Sequence, residues 1–385
     1  MGSTFDVIVV GGGYIGSSVA CHLSRAGLRT ALLDQGGFAA GASRANFGNI
    51  QIQDLELNKS FDMIRTASTR FEKLEAELDR KVGLRRLGSL LLIENEQQWK
   101  LMETRLEALH LGGIPSELVA ARRLGELEPL IDPSPLLGAL YHAREGQVDP
   151  FLLINAYLVQ ARRRGLQEFY FTEVTGFSVH GGRLQGVLTS QGRFSTAQVV
   201  LCTGAHTRRL GMLLGREWDI PYVLGQAMVT EPIRPILHNH ISSASFFEQA
   251  GAGNAETIGV GLAVSQSHQG QMLLGEALVA ADAFQRQVPR RALGVMAECV
   301  LRHFPSFCSL RVQRSWSAPV AYTSDSCPWL GPVQGIEGLL IATAFRSTVI
   351  VTPLIGETVA QLVTSGKCDL IIDDFLPERN RGHAQ

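Results

Sequence analysis

The chain has 385 residues, of which 45% are hydrophobic and 18% are charged. This length exceeds what one simple core accommodates, so we expect a two-domain body with a large buried interior. The 35 basic and 36 acidic residues nearly cancel, which gives no reason to expect nucleic acid or an anionic membrane as a partner.

The first elements of the chain predict the start of an α/β fold. Residues 5–10 include a run of Val and Ile typical of a first strand, residues 14–27 predict a helix, and residues 29–33 predict a second strand. The first strand leads straight into glycines, so no secretory signal is recognised. Residues 56–80 lack Gly and Pro and repeat apolar residues every three or four positions, which predicts an amphipathic helix.

The rest of the chain alternates predicted strands and helices without a visible linker or repeat, so we expect interleaved domains. No apolar run approaches the roughly 20 residues that a bilayer span needs, and we expect a soluble, cytoplasmic protein. The remaining predicted strands are 87–93, 183–188 paired with 193–202, several within 220–275, and 339–343. The remaining predicted helices are 95–112, 151–164, 276–304 and 353–365.

The chain is not expected to hold a metal by itself. None of its six cysteines are spaced C-x-x-C, so no familiar zinc or iron–sulfur cradle is present. The histidine pairs His238/His240 and His180/His268 have no carboxylate run near them in the sequence. We interpret these four side chains as hydrogen-bonded loop histidines and predict no metal site.

A dinucleotide-binding pattern connects the first strand to the first helix. Gly11, Gly13 and Gly16 form G-x-G-x-x-G. The first glycine permits a tight turn, the second lets the backbone approach a pyrophosphate, and the third lets the helix pack on the sheet. The helix N-terminus offers N–H groups to phosphate, and Asp34 can accept ribose hydroxyls. The alternative is a glycine-rich turn that binds nothing.

The residues after the second strand favour FAD over NAD. The chain stays rich in Gly and Ala instead of proceeding to another βα unit, as expected of a loop that follows an extended cofactor. Gly41-Ala42-Ser43, followed by Asn46 and Gly48, resembles the D-amino-acid oxidase and sarcosine oxidase family of FAD enzymes, although Arg44 stands where glycine is more usual.

Four further segments are similar to that family, so the resemblance covers most of the chain. Residues 146–150 match a G-x-V-D-P turn, and Val174 falls where the family's backbone meets adenine. Residues 199–205 match a strand and turn that lie under the cofactor in the family. Residues 316–331 match the segment that ends before the last strand.

In the family, the last loop and helix lie at the pyrimidine edge of the flavin. Thr352 is predicted as the helix N-cap, with Pro353 at the first helical position, and such a helix end would favour negative charge on a reduced flavin. Arg346 is predicted either as a counter-ion for the flavin or the substrate carboxylate, or as a surface residue. Sarcosine oxidases carry a lysine near the position of Val351, which argues against a sarcosine-like substrate.

The resemblance implies a cofactor site built from several loops. FAD would be bound non-covalently, because no cysteine precedes the pair Tyr322-Thr323, where some relatives attach it. Other relatives attach a second flavin near the G-x-V-D-P turn. Pro150 stands there in this chain, so a second flavin would not be attached at that point. The implied cofactor-binding residues are Gly11, Gly13, Tyr14, Ile15, Gly16, Asp34, Gln35, Ser43, Arg44, Asn46, Gly48, Asn49, Val174, Cys202, Thr203, Gly204, Phe345, Arg346, Ser347 and Thr348.

A polar stretch after the cofactor loop is the predicted substrate pocket. Asn49, Gln51 and Gln53 alternate with two isoleucines, so the three polar side chains are expected to share one face of a strand. We predict Asn49, Gln51 and Arg346 as pocket residues. The alternative is an ordinary half-buried strand.

The predicted fold class is α/β (α+β overall). A Rossmann-like FAD-binding domain, formed by 1–85, 145–215 and 316–385, would be interleaved with an antiparallel-sheet substrate domain, formed by 86–144 and 216–315.

The resemblance implies an FAD-dependent amino-acid or amine dehydrogenase. It would take a hydride from a C–H next to nitrogen in a secondary amino acid of the opine, hydroxyproline or proline type, giving an imine that water hydrolyses. Residues 43–53 and 345–353 look most like the β subunits of heteromeric opine (octopine or nopaline) and D-hydroxyproline dehydrogenases, whose partner subunits hold FMN or an iron–sulfur centre. The alternatives are a stand-alone oxidase using oxygen and a non-catalytic FAD electron-relay subunit.

Overall fold

The computed structural model describes residues 4–53, 55, 57–249, 259–280 and 288–379. Its strands are β1 (Val7–Val10), β2 (Thr30–Leu33), β3 (Asn49–Ile50), β4 (Arg85–Arg86), β5 (Gly88–Ile93), β6 (Glu117–Ala120), β7 (Gly138–His142), β8 (Gly146–Gln147), β9 (Gln167–Phe169), β10 (Val174–His180), β11 (Arg183–Thr189), β12 (Gly192–Ser195), β13 (Val199–Leu201), β14 (Tyr222–Pro232), β15 (Asn239–Ser243), β16 (Gly259–Gln266), β17 (Gln271–Ala280), β18 (Val312–Ala321), β19 (Trp329–Pro332) and β20 (Leu339–Thr343).

Helices connect most of these strands. They are α1 (Tyr14–Arg25), α2 (Phe61–Phe71), α3 (Leu74–Leu78), α4 (Glu96–Leu111), α5 (Leu124–Leu127), α6 (Pro150–Arg162), α7 (Thr207–Leu213), α8 (Ser245–Gln249), α9 (Arg290–His303) and α10 (Thr348–Ser365).

The first layer is a six-stranded, mostly parallel sheet with the strand order β19-β20-β13-β1-β2-β9. Its central strands are continuous apolar runs with buried side chains, as expected of a parallel sheet covered on both faces. Helix α1 lies against β1 and β2 and packs between α6 and α10. The antiparallel sheet β10-β11-β12 covers the other face through residues such as Val187 and Phe194. The predicted Rossmann-like layer is confirmed.

The second layer is an eight-stranded sheet with the order β18-β14-β17-β16-β15-β5-β7-β6. Neighbouring strands are antiparallel except β15 and β5, which are parallel. Met296 and Val300 of α9 join the core on one face of this sheet. The sheet takes its strands from 88–142 and 222–321, so the chain passes through both layers more than once.

A small antiparallel sheet, in the order β3-β8-β4, lies at the contact between the two layers. Its register places Asn49, Gln147 and Arg85 side by side. Because neighbouring strands put directly paired residues on the same face, these three side chains form one row.

One predicted strand and one predicted helix have different limits in the structure. Residues 193–202 do not form one strand: β12 ends at Ser195, and the hydroxyl of Thr196 then accepts the N–H of Gln198 at 3.1 Å in a tight turn before β13. This turn moves the chain from the small antiparallel sheet into the parallel sheet. Residues 276–280, predicted as helix, continue β17 by pairing with β14.

The prediction of one long helix over 56–80 is also wrong. The carboxamide oxygen of Asn58 accepts the N–H of Ser60 at 2.9 Å, so the chain turns there and α2 begins at Phe61. A break after Phe71 then separates α2 from α3.

Helix α10 is long and apolar enough, by length and composition, to cross a membrane. Most of its residues are buried inside the protein, where it packs against α1 and α2. This burial is typical of a core helix.

Candidate active site

The loops that follow four parallel strands meet at one edge of the first sheet. Strands β1, β2, β13 and β20 all run in the same direction, so their carboxyl ends share that edge. Ligands of open α/β sheets bind at such an edge. The residues predicted from the dinucleotide pattern and those predicted from the later segments are therefore on the same side of the sheet.

The glycines of the first loop are required by close backbone contacts. A Cβ added at Gly16 would lie 1.7 Å from the carbonyl oxygen of Gly11, and one at Gly11 would lie 2.4 Å from the carbonyl oxygen of Cys202. Gly11 also has a φ of +101°, which favours glycine. The loop thus packs directly on the end of β13, as a dinucleotide-binding turn requires.

Ser43 lies over the N-terminus of α1. Its hydroxyl accepts the N–H of Tyr14 at 3.1 Å, and a Cβ at Gly13 would lie 2.6 Å from the same oxygen. The N-cap residue itself, Gly13, has no side chain to cap this helix end. The N–H groups and the Ser43 hydroxyl are suited to a phosphate, so these residues would hold the pyrophosphate of FAD.

Asp34 organises the next turn. Its two carboxylate oxygens accept the N–H of Gly12 at 2.7 Å and of Gly36 at 2.8 Å. Burial raises the pKa of Asp34, and these two hydrogen bonds oppose the rise. The carboxylate retains further lone pairs for the hydroxyls of a ribose. Both the turn and the acceptor fit the adenosine half of FAD.

Two further residues of the implied site, Val174 and Gln35, lie near Asp34. Val174 is buried at the start of β10, next to Thr172, whose N–H donates to the carbonyl oxygen of Asp34 at 2.8 Å. The side chain of Gln35 forms a hydrogen bond to Nε2 of His206 at 2.8 Å. His206 was not predicted, although it follows the predicted residue Gly204 by only two positions.

We expect the change Asp34→Ala to weaken FAD binding without abolishing it. One hydrogen bond to a charged group is worth about 1.5–3 kcal/mol, or roughly 10–150-fold in Kd. Fluorescence titration of the apoprotein with FAD measures the change. Asp62→Ala, at an exposed carboxylate on α2, is the matched control. An unchanged Kd in the Asp34 variant would remove this carboxylate from the cofactor site.

Threonine hydroxyls tie the loops after β13 and β20 together. The hydroxyls of Thr203 and Thr207 lie 2.8 Å apart, and Thr207 donates to the hydroxyl of Thr343 at 3.2 Å. Thr343 in turn donates to the carbonyl oxygen of Gly204 at 3.3 Å. These contacts fix the two loops relative to each other.

The predicted start of the last helix is wrong. Helix α10 begins at Thr348, with Ser347 as its N-cap, so Thr352 and Pro353 lie inside it. The hydroxyl of Thr352 donates to the carbonyl oxygen of Val349 at 2.9 Å, which is the acceptor that the missing N–H of Pro353 would otherwise have used. The helix end therefore lies within the implied cofactor loop itself.

Arg346 stands at this helix end with a defined position. Its guanidinium lies over the ring of Tyr322, 4.3 Å from the ring centroid, which is cation–π geometry. The next residue, Ser347, donates from its hydroxyl to the carbonyl oxygen of Gln51 at 3.0 Å. The Ser347 contact thus brings together the two segments that carry the predicted pocket residues Gln51 and Arg346.

A group of four polar side chains, the interdomain polar cluster, joins the cofactor loop to the second sheet. It consists of Asn49, Gln147, His240 and Ser265. The carboxamide of Asn49 contacts Nδ1 of His240 at 3.0 Å and the hydroxyl of Ser265 at 3.2 Å. Gln147 donates to the carbonyl oxygen of Phe47 at 2.9 Å. Burial lowers the pKa of His240 to about 3, so its ring is neutral and can accept a hydrogen bond.

This cluster corrects two predictions. His240 is not a loop histidine but lies in β15. Gln53 does not share a face with Asn49, because β3 ends at Ile50 and Gln53 is buried with its amide donating to Ser89 at 2.6 Å. The carboxylate of Glu145 accepts the N–H of Gln53 at 2.7 Å, which turns the chain away from a strand.

An aromatic contact holds the rest of the cofactor loop on the second sheet. The rings of Phe47 and Trp316 meet edge to face, and the indole N–H of Trp316 donates to the carbonyl oxygen of Ala45 at 3.2 Å. A Cβ at Gly275 would lie 3.2 Å from the Phe47 ring. Neither aromatic residue was predicted for the site, although a glycine within a strand is a signal of such a close approach.

The remaining implied residues take varied positions. Ile15 and Phe345 are buried in the apolar core, whereas Arg44 and Asn46 are exposed. The carboxamide oxygen of Asn46 accepts the N–H of Gly48 at 2.7 Å and so shapes the loop. In the described part of the chain, no group of three His, Cys, Asp or Glu side chains is placed to hold a metal ion.

Comparison with known proteins identifies the family to which the chain belongs. A family model described as FAD dependent oxidoreductase matches residues 6–362. Sarcosine oxidase subunit beta from Arthrobacter sp is 26% identical over 99% of this chain and 92% of its own length. Dimethylglycine dehydrogenase from Rattus norvegicus is 24% identical over 97% of this chain, which spans only 44% of that longer relative.

Two solved structures superpose over nearly the whole chain. L-proline dehydrogenase from P. horikoshii gives a TM-score of 0.87 at 22% identity and covers 100% of both chains. Glycine oxidase from Geobacillus kaustophilus gives a TM-score of 0.88 at 23% identity and covers 98% of this chain and 99% of its own. At these identities the superpositions show a shared fold.

Proposed function

Because the chain belongs to the FAD-dependent oxidoreductase family, we propose that it oxidises a C–N bond in a secondary amino acid of the opine, hydroxyproline or proline type. FAD supplies the acceptor for a hydride from the carbon next to nitrogen. The nitrogen also loses a proton, and water then hydrolyses the imine to an amine and a carbonyl compound. The protein's part is to bind and orient the amino acid.

The interdomain polar cluster is the observation that carries this proposal. Burying polar groups is unfavourable unless each of them is hydrogen-bonded, so an electron-relay scaffold, which has no substrate to bind, would be expected to fill this contact with apolar side chains. Here Asn49, Gln147, His240 and Ser265 meet where the implied cofactor loop touches the second sheet. A few convergent polar groups at such a contact are typical of a ligand site.

Arg346 supplies the charge that an amino acid requires. The ring of Tyr322 holds its guanidinium, and a fixed guanidinium can bind a carboxylate through two parallel hydrogen bonds. Its neighbour Ser347 is bonded to the backbone of Gln51, so this charge lies beside the segment that leads to Asn49. In this proposal Arg346 holds the substrate carboxylate.

We further propose that the chain works in the cytoplasm as a β-type subunit of a multi-subunit dehydrogenase. Support comes from the relative named sarcosine oxidase subunit beta, which this chain matches over almost its full length. Partner subunits would hold FMN or an iron–sulfur centre and receive the electrons.

Anaerobic reduction tests the proposed function. Secondary amino acids are expected to bleach the FAD absorbance of the purified protein, with co-purified subunits retained, in stopped-flow mixing. Readmitted air should reoxidise the FAD at least about 10-fold more slowly than an artificial electron acceptor does, because electrons would normally leave through a partner. Equally fast reoxidation in air would identify a stand-alone oxidase, and no bleaching by any amino acid would favour the electron-relay scaffold.

A matched pair of variants tests whether the interdomain polar cluster belongs to the substrate pocket. His240→Phe removes a hydrogen-bonding partner from both Asn49 and Ser265, whereas His238→Phe changes an exposed histidine two residues earlier. We expect the first to lower kcat/KM on the order of 10–100-fold with FAD retained, and the second to leave it unchanged. Equal activities would remove the cluster from the substrate pocket.

A further inference from the structure

The strand that carries His240 is held at its start by a buried glutamate. Strand β15 begins at Asn239, and His240 is its second residue. One carboxylate oxygen of Glu128, Oε2, accepts the backbone N–H of His238 at 2.8 Å and that of Asn239 at 2.9 Å. Glu128 directly follows the last residue of α5 and is fully buried. One side chain therefore fixes the two residues that immediately precede His240.

A second buried side chain holds the two residues before these. The carboxamide oxygen of Gln266 accepts the N–H of Ile236 at 2.9 Å and that of Leu237 at 3.1 Å. Its amide nitrogen donates to two backbone carbonyl oxygens, which fixes the orientation of the carboxamide. Four consecutive backbone N–H groups, those of 236–239, are thus accepted by two side-chain oxygens. Because buried N–H groups need acceptors, these contacts locate the chain where it enters β15.

The entry to β15 determines which side chain reaches the interdomain polar cluster. Successive residues of a strand point to opposite faces, so a shift by one residue would turn His240 away from the cluster. In the observed register Ile241 belongs to the apolar core. His240 instead contacts the carboxamide of Asn49 at 3.0 Å and the hydroxyl of Ser265. A shifted strand would place Asn239 or Ile241 where the imidazole now lies.

We propose that Glu128 is a positioning residue, which acts through the two N–H groups that it accepts and directs the imidazole of His240 into the interdomain polar cluster. This inference rests on the proposed function, in which that cluster lines the substrate pocket. The other carboxylate oxygen of Glu128, Oε1, makes no hydrogen bond within the part of the chain that the structure describes. The role therefore requires an oxygen at the position of Oε2 and does not require a negative charge.

Two conservative variants separate the reach of this side chain from its charge. Glu128→Gln keeps an acceptor oxygen at the same reach without the charge, whereas Glu128→Asp keeps the charge on a side chain one methylene shorter. We expect the glutamine variant to retain kcat/KM within about 3-fold and the aspartate variant to lose on the order of 10-fold, with FAD retained. Glu126→Asp, at an exposed glutamate on α5, is the control and should change nothing. A larger loss in the glutamine variant would show that the charge matters and would overturn the proposal.

Combination with His240→Phe distinguishes positioning from a general structural role. If Glu128 acts through His240, the double variant Glu128→Asp/His240→Phe has the kcat/KM of His240→Phe alone, within about 2-fold, because no imidazole remains to be positioned. A structural role elsewhere in the protein predicts two independent losses that multiply. Multiplied losses would therefore contradict the proposal.

Nitrogen NMR of protein that contains isotope-labelled histidine tests the positioning without any substrate. The ring signals report which nitrogen carries the proton and whether it is hydrogen-bonded, and the signal of His240 is the one absent in His240→Phe. We expect this signal to move in Glu128→Asp and to stay in place in Glu128→Gln. An unmoved signal in the aspartate variant refutes the positioning role even in an active enzyme. A moved signal in a protein that oxidises no amino acid supports the positioning role, and only the proposed function fails.

Discussion

A valine in place of Gly13 is expected to leave the protein folded but without FAD. The added side chain would meet the Ser43 hydroxyl, since even a Cβ there lies 2.6 Å from it, and it would occupy the space above the first turn of α1 where the pyrophosphate would approach. We expect FAD occupancy below roughly a tenth of wild type, because the pyrophosphate can no longer approach the backbone closely. The ratio of the absorbance at the flavin band to that of the protein measures the occupancy.

Two further variants show which clash is responsible. Gly41→Ala is the control, because a Cβ at Gly41 meets no atom within 4 Å. The double change Gly13→Val and Ser43→Gly removes the serine clash and keeps the valine. FAD binding restored in the double variant would mean that the serine contact alone caused the loss, and full occupancy in the single variant would contradict the assignment of the glycine pattern to FAD.

Replacement of Arg346 by methionine is expected to raise KM for the amino-acid substrate on the order of 10–100-fold, with FAD retained. A charge-assisted pair with a carboxylate is lost, while methionine still covers the Tyr322 ring. Steady-state kinetics with an artificial acceptor measures the effect. Arg314→Met, at an exposed arginine on β18, is the control for a general loss of positive charge.

The same variant separates the two functional roles predicted for Arg346. A counter-ion of the flavin would change the reduction potential and the absorption spectrum of bound FAD, with little effect on KM. A counter-ion of the substrate would do the reverse. If neither quantity changes, Arg346 is a surface residue, and the carboxylate-binding part of the proposed function is wrong.

Local patterns predicted residues of the implied cofactor half that the structure brings together at one edge of the sheet. Gly11, Gly16 and Asp34 act through contacts at the ends of neighbouring strands, and their spacing in the sequence reflects that geometry directly. The start of α10 was mispredicted for an equally local reason. Thr352-Pro353 is typical of a helix start, yet the threonine hydroxyl fills the gap that the proline leaves inside the helix.

The proposed substrate half was predicted only in part, through Asn49, Gln51 and Arg346. Asn49 meets His240 across 191 residues of sequence and Ser265 across 216, and each of these residues alone is an ordinary polar residue in or near a strand. Their meeting depends on the register of β3 with β8 and of β15 with β16. Periodicity within one strand contains no information about such registers, so Gln147, His240 and Ser265 were not predicted for the site.

The interleaved strand order also determines when the cofactor site is complete during protein synthesis. Strand β13 lies between β1 and β20, so the parallel sheet needs residues 7–10, 199–201 and 339–343 together. A nascent chain that has emerged only through the dinucleotide pattern contains β1 but neither β13 nor β20, and its apolar strands lack the layers that cover them. Loop closure over such separations is slow, so the growing chain exposes these strands until β20 emerges. A cofactor bound at this edge can therefore stabilise the chain only after β20 has emerged, and chaperones have their main opportunity to bind before that point.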